Sequence, residues 1–138
     1  MCLVGCSVVA EAAAAAFLTL LGTNVNITVI DGDVPSGMEP PYVVVYFSGG
    51  REQGDNLRNT SSEATDRAYV HAVAESAQGS RIVADQVDST ITDQRLTIAG
   101  WSSGPIRREL TIPPRRDEST GIAVMDQVDV YLWRMTVA

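Results

Sequence analysis

The sequence predicts an α+β chain: two helices packed on a mixed, mostly antiparallel sheet, in the order α-β-β-β-α-β-β. Three observations lead there. An alanine-rich apolar segment runs up to Gly22, and a second stretch, residues 80–92, carries apolar residues at helical spacing. Between and after these lie short runs of β-branched and aromatic residues, or runs that alternate with period two. Residues 1–138 suit one domain, because a chain of this length buries roughly two-thirds of the surface it exposes when unfolded.

The first helix is expected over Val8 to Leu21, a run of strong helix formers ended by Gly22 as C-cap. Val9, Ala13, Ala16, Phe17 and Leu20 form one stripe to pack on a sheet, and the alanines permit close approach. A membrane span is disfavoured because Glu11 sits inside the segment, five alanines add little apolar area and no arginine flanks it before Arg51. Leu3-Val4-Gly5-Cys6 looks like a lipobox, but no positive charge precedes Cys6 and the apolar run follows it, the reverse of a secretory signal. Cys2 and Cys6 would close too small a loop to constrain the unfolded chain, so both read as free thiols.

Asn26 to Ile30 reads as a short strand stopped by Asp31-Gly32-Asp33 and a turn at residues 34–37. Asp31 and Asp33 lack the further oxygen ligand and the glycine of a calcium loop, since Pro35 and Ser36 stand there, so turn chemistry is the reading. Tyr42 to Phe47 is a continuous apolar run, expected as a central strand. Residues 48–65 are polar and glycine-rich and read as a long exposed loop or hairpin arm. From Asp66 to Glu75 the residues alternate, with Ala68, Val70, Ala72 and Ala74 on one side. Gly79-Ser80 then opens the second helix, with Val83, Ala84, Val87 and Ile91 inward and Asp85 and Asp88 outward. Arg95 to Ile98 is extended, 101–105 turn-like, and strands follow at Ile106 to Ile112 and Ile122 to Val137, with an excursion at about 113–121.

The formal net charge is −7 and all 10 basic residues are arginine. Such a balance argues against a protein that grips phosphates by counterion release. No catalytic constellation emerges. His71 is the one histidine and stands mid-strand; no nucleophile elbow occurs, and residues 49–54 lack the lysine and hydroxyl of a phosphate loop. Asp126 and Asp129, three apart in a strand, point to opposite faces and make no dyad. Cysteine and histidine are not spaced for a metal, and no cofactor motif is found. An enzyme is therefore not expected. The clustered polar residues instead mark candidate contacts with other protein surfaces: Arg51, Glu52, Asp55, Arg58 and Glu63 in the first excursion, and Arg107, Arg108, Arg115, Arg116, Asp117 and Glu118 in the second.

An ordered set of segments carries a resemblance. It comprises Pro41 to Val45 after a proline-containing turn, Ile82 to Val87, Leu96 to Glu109, Pro114 to Glu118 and Val128 to Tyr131. Together with the opening helix, the set resembles the tail terminator, or tail completion, proteins of long-tailed phages. The likeness covers most of the chain, and Met1 to Val8 depart from it in being more apolar. The resemblance implies an α+β virion subunit, assembled in the host cytoplasm, that forms a homo-oligomeric ring, a hexamer, at the head-proximal end of the tail. Its partners would be the tail tube protein and a head-tail connector or head completion protein, with no membrane and no enzymatic role. Genomic DNA would pass through the ring without specific binding. Six chains at −7 each carry −42 formal charges, which repel DNA and release no counterions. The rival readings are another head-tail connector or tail tube subunit and, from Leu3 to Cys6, a lipid-anchored bacterial binding module.

Overall fold

Fourteen-residue strands set the dimensions of the sheet. In the computed structural model, which describes residues 2–48, 51–54 and 61–137, and side chains over 10–48 and 63–137, the order is α1 (Cys2–Leu21), β1 (Val29–Asp31), β2 (Tyr42–Phe47), β3 (Arg51–Gly54), β4 (Ser61–Ala74), α2 (Ala77–Ile91), β5 (Arg95–Ile98), β6 (Trp101–Pro105), β7 (Arg107–Asp117) and β8 (Val124–Val137). Strands β4 and β8 pair antiparallel without interruption from Glu63 opposite Thr136 to Ala74 opposite Met125. Around them the sheet runs β1-β2-β4-β8-β6-β5, with β3 also on β4 and β7 also on β8. Only β1 and β2 pair in parallel among the described ladders. The α+β architecture and its α-β-β-β-α-β-β order are those the sequence predicts, with β3 added before α2 and the region after α2 divided into four strands.

The segment expected as a long exposed loop or hairpin arm is a hairpin arm, and the segment expected as a turn is a strand. Residues 51–54 and 61–65 pair with each other and lengthen the β2–β4 hairpin into an arm. Residues 101–105 pair with both β5 and the end of β8. Their polar side chains hide the alternation that betrays a half-buried strand, while the backbone bonds they make depend on neighbours far away in sequence. Segment 101–117 runs alongside β8 almost continuously. Its partner register slips by one residue between Ser103 and Arg107, between Arg108 and Leu110, and between Ile112 and Arg115. Each slip bends the strand and aims neighbouring side chains afresh.

Both helices cover one face. Ala13, Phe17 and Leu21 of α1 and Ala84, Val87 and Ile91 of α2 are buried against Val43, Val45, Ala68, Val70, Tyr131, Trp133 and Met135 of the sheet. The inward residues of β4 are mostly alanine, so the helices approach closely. The second helix begins three residues before its expected start. Ser76, not Ser80, is the N-cap, and its Oγ accepts from Gly79 N at 3.0 Å. Ser80 lies inside the helix, fully buried; its Oγ donates to Ala72 O at 2.6 Å and accepts from Gln127 N at 3.1 Å. Asp88, expected to point outward, is half-buried and accepts from Tyr131 Oη at 3.0 Å and Thr92 Oγ1 at 2.6 Å. A periodic pattern places a residue on a face, but not beside a tyrosine that arrives from a strand more than forty positions away.

Candidate docking face

The side of the sheet turned away from the helices carries its own order. Because side chains alternate, Tyr42, Val44 and Tyr46 of β2 share that side with Arg67, Tyr69, His71 and Val73 of β4. Registration then builds rows across four strands. Tyr46 stands opposite Tyr69, Tyr69 opposite Val130 and Val130 opposite Leu110. The row beside it is Val44, His71, Val128 and Ile112, and on the other flank Arg67, Leu132 and Arg107 align.

One end of this face is covered. Tyr42, Val44, Val73 and Val124 are buried beneath Ile30, Val34, Met38 and Ile122, and the covering loops are tied together by Gly37 N donating to Thr120 O at 2.8 Å. The middle is open. Tyr46, Tyr69 and Leu110 are 44%, 38% and 53% exposed, so three large side chains of a single row meet solvent. Contiguous exposed apolar side chains on a sheet mark surfaces that bind other surfaces.

Two hollows flank the open row. The first, about 260 Å³, is lined by Asp33, Asp117 and Asp126 with His71, Tyr42 and Tyr46, and by no arginine. Within it His71 Nδ1 lies 2.8 Å from Asp126 Oδ2. His71 directly opposes Val128, so the aspartate is its diagonal cross-strand neighbour, within reach of a long side chain. Asp117 accepts from Ser119 N at 2.9 Å, and that bond, a second from the serine side chain and the nearby His71 hold its carboxyl below the ordinary carboxylate value. Burial pushes the Tyr42 hydroxyl above its ordinary value. The second hollow, about 500 Å³, is lined by Arg67, Arg107 and Arg134 with Thr65, Gly104, Pro105 and Leu132, and by no acid. Arg67 Nε meets Glu109 Oε2 at 2.9 Å and Arg107 Nη1 meets Asp93 Oδ1 at 2.7 Å.

The residues singled out from sequence are spread over this framework. Arg51 and Glu52 lie on β3, paired with Thr65 and Ala64 of the arm, while Asp55 and Arg58 lie outside the described residues. Glu63 opposes Thr136 at the end of the long ladder. Arg107 joins the arginine hollow, whereas its neighbour Arg108 turns to the helix side and comes within 3.9 Å of Asp88. Arg115 opposes Asp126, and Arg116 binds Glu118 at 2.6 Å at the tip of the β7–β8 turn. Thus Arg107, Arg108, Arg115 and Arg116 form no single cluster, since consecutive strand residues face opposite ways. The exposed row of Tyr46, Tyr69 and Leu110, the His71–Asp126 pair and the contribution of Arg67 and Arg134 escaped sequence reasoning. Their one local signal is the occurrence of large residues on both faces of the strands.

Asp126 and Asp129 do point to opposite faces, the first into the acidic hollow and the second, 2% exposed, beneath the helices beside Gln127. Among the described residues no three His, Cys, Asp or Glu side chains gather closely enough to hold a metal ion, and no helix is long and apolar enough to cross a membrane.

No protein-family model matches the sequence, and no curated protein matches it. Among solved structures, the chain is similar to a chain in the virion of a native gene transfer agent particle, with a TM-score of 0.69 and 17% sequence identity. The two chains share a fold. The alignment covers 94% of this chain and 98% of that one, so the likeness takes in essentially the whole of both.

Proposed function

We propose that this chain is a non-enzymatic virion structural protein that forms a ring, a hexamer, at the head-proximal end of a phage tail tube. In that place it ends tube polymerisation and offers the surface to which the head joins. The observation that carries the reading is the whole-chain likeness to a component of a gene transfer agent virion, with almost nothing of either chain left over. The sequence resemblance to tail terminators supplies the position along the tail. The architecture suits the role, because a rigid helix-backed sheet presents an exposed row of Tyr46, Tyr69 and Leu110 between hollows of opposite charge.

Partners follow from the same reading: other copies of this chain, the tail tube protein, and a head-tail connector or head completion protein. DNA would pass through a lumen lined mainly by acids, which binds it weakly because like charges repel. Native mass spectrometry and electron microscopy of the purified chain, alone and with tube protein, provide the test. A single closed ring that sits on one end of a tube is expected. Self-polymerisation into tubes would point instead to a tube subunit, and particles that lack the chain yet carry tails of normal length joined to heads would rule the proposal out.

A further inference from the structure

We infer that the arginine hollow of one copy receives the acidic loop of residues 31–39 from the next, so that neighbours join head to tail. This rests on the ring reading and names the contact that would build the ring.

The receiving surface has three arginines and no acid in its wall. Two of them are already held, Arg67 by Glu109 and Arg107 by Asp93, while Arg134 has no ion pair among the described residues. Three arginines less two acids leave a net positive hollow on a chain whose overall charge is −7. Leu132 and Pro105 in the wall add apolar surface for an incoming backbone to cover.

The donor surface has the opposite character. Residues 1–50 contain four acids, Glu11, Asp31, Asp33 and Glu39, and no arginine or lysine. Asp31, the last residue of β1, and Asp33 and Glu39 on the loop that follows it are all exposed. That loop is shaped in advance by Asp33 N donating to Asp31 O at 3.0 Å and Met38 N to Pro35 O at 3.2 Å. Gly32 at φ +80 and Gly37 at φ +75 take left-handed turns that other residues resist. A preformed loop loses little entropy on docking.

The two surfaces lie toward opposite ends of the outer face: the loop covers the end over Tyr42, Val73 and Val124, tied to the β7–β8 turn by Gly37 N donating to Thr120 O at 2.8 Å, and Arg67, Leu132 and Arg134 of the hollow lie toward the other end. Val73, beneath the loop, and Arg67, in the wall of the hollow, are six residues apart on β4. At about 3.3 Å per residue along a strand that is roughly 20 Å, so the loop of a chain does not fill its own hollow. Contact between two different surfaces is heterologous, and such a contact closes into a ring when the rotation per subunit permits. Opposite charges on the two surfaces set the register and disfavour like-on-like pairing.

The test uses the full chain and two charge-reversed variants, Asp31→Arg with Asp33→Arg, and Arg107→Glu with Arg134→Glu, all at exposed positions. Circular dichroism first checks that both variants keep the wild-type fold and melting temperature. In native mass spectrometry and sedimentation, each variant alone is expected to assemble at least about tenfold more weakly than wild type, and an equal mixture to restore closed rings of alternating copies. Rings that persist in either variant, or a mixture that fails to recover them, overturn this contact while leaving the ring itself standing. A wild-type chain that yields only monomers or two-fold dimers overturns both.

Discussion

Phe17 of α1 lies nearly flat on Trp133 of β8, with ring centroids 5.1 Å apart and planes 19° from parallel. Phe47 meets the same phenylalanine edge-on at 5.6 Å, so one side chain ties the first helix to both the centre and the arm of the sheet. All of Phe17 and Trp133 is buried. Phe17→Ala should cost about 3–5 kcal/mol, the transfer and cavity terms together. Phe17→Leu should cost about 1–2 kcal/mol, because most of the volume stays and the stacking is lost. Urea unfolding of both variants measures the difference, and equal midpoints for wild type and Phe17→Ala would show that α1 does not depend on this contact.

Ser80 and Ser76 lie four residues apart and do different work. Ser76→Ala removes a cap and should cost about 1 kcal/mol. Ser80→Ala removes a buried hydroxyl that bridges β4 to β8 beneath α2, leaving Ala72 O and Gln127 N to find other partners, at about 1–3 kcal/mol. Denaturation should therefore rank Ser80→Ala as the more damaging. The reverse order would mean that the buried Ser80 hydroxyl contributes less than the Ser76 cap.

Tyr131 is fully buried and donates to Asp88, and burial first, then the charge of Asp88, push its hydroxyl far above the ordinary tyrosine value of 10.0. The sign follows from proton counting. Above pH 10 the unfolded chain loses this proton and the folded chain keeps it, so the contribution to stability is complete below the ordinary value and falls as pH rises beyond it. The slope is about 1.4 kcal/mol per pH unit. Tyr131→Phe should be less stable at neutral pH for want of the Asp88 bond, yet lose less stability between pH 10 and 11 than wild type does. Thermal melts across that range decide it, and parallel losses in the two proteins would contradict the assignment.

Leu110 and Tyr69 contribute little to the core because each leaves more than a third of its surface in water. Leu110→Glu and Tyr69→Glu should thus change the unfolding midpoint little, by about 0.5 kcal/mol or less. If the open row is a docking face, the same substitutions should weaken attachment to tube or head by about tenfold or more, as expected when a charge enters the apolar centre of an interface. Sedimentation of the variants with the tube protein and with the connector reads the effect; unchanged binding to both would remove this row from the interface.

The sequence by itself determined the layers. Helical spacing of Ala13 and Phe17, and of Ala84, Val87 and Ile91, marks two helices; the alternation from Ala68 to Ala74 marks a half-buried strand; and the β-branched run at 43–45 marks its partner. Those patterns are local and follow from the geometry of helix and strand. Only the tertiary structure decided what the outer face of the sheet presents. The row from Tyr46 to Leu110 spans four strands, the His71–Asp126 pair joins residues 55 positions apart, and the arginine hollow draws on β4, β6, β7 and β8. Strand register creates these neighbours, and register depends on packing across the whole sheet and on bulges that shift it one residue at a time.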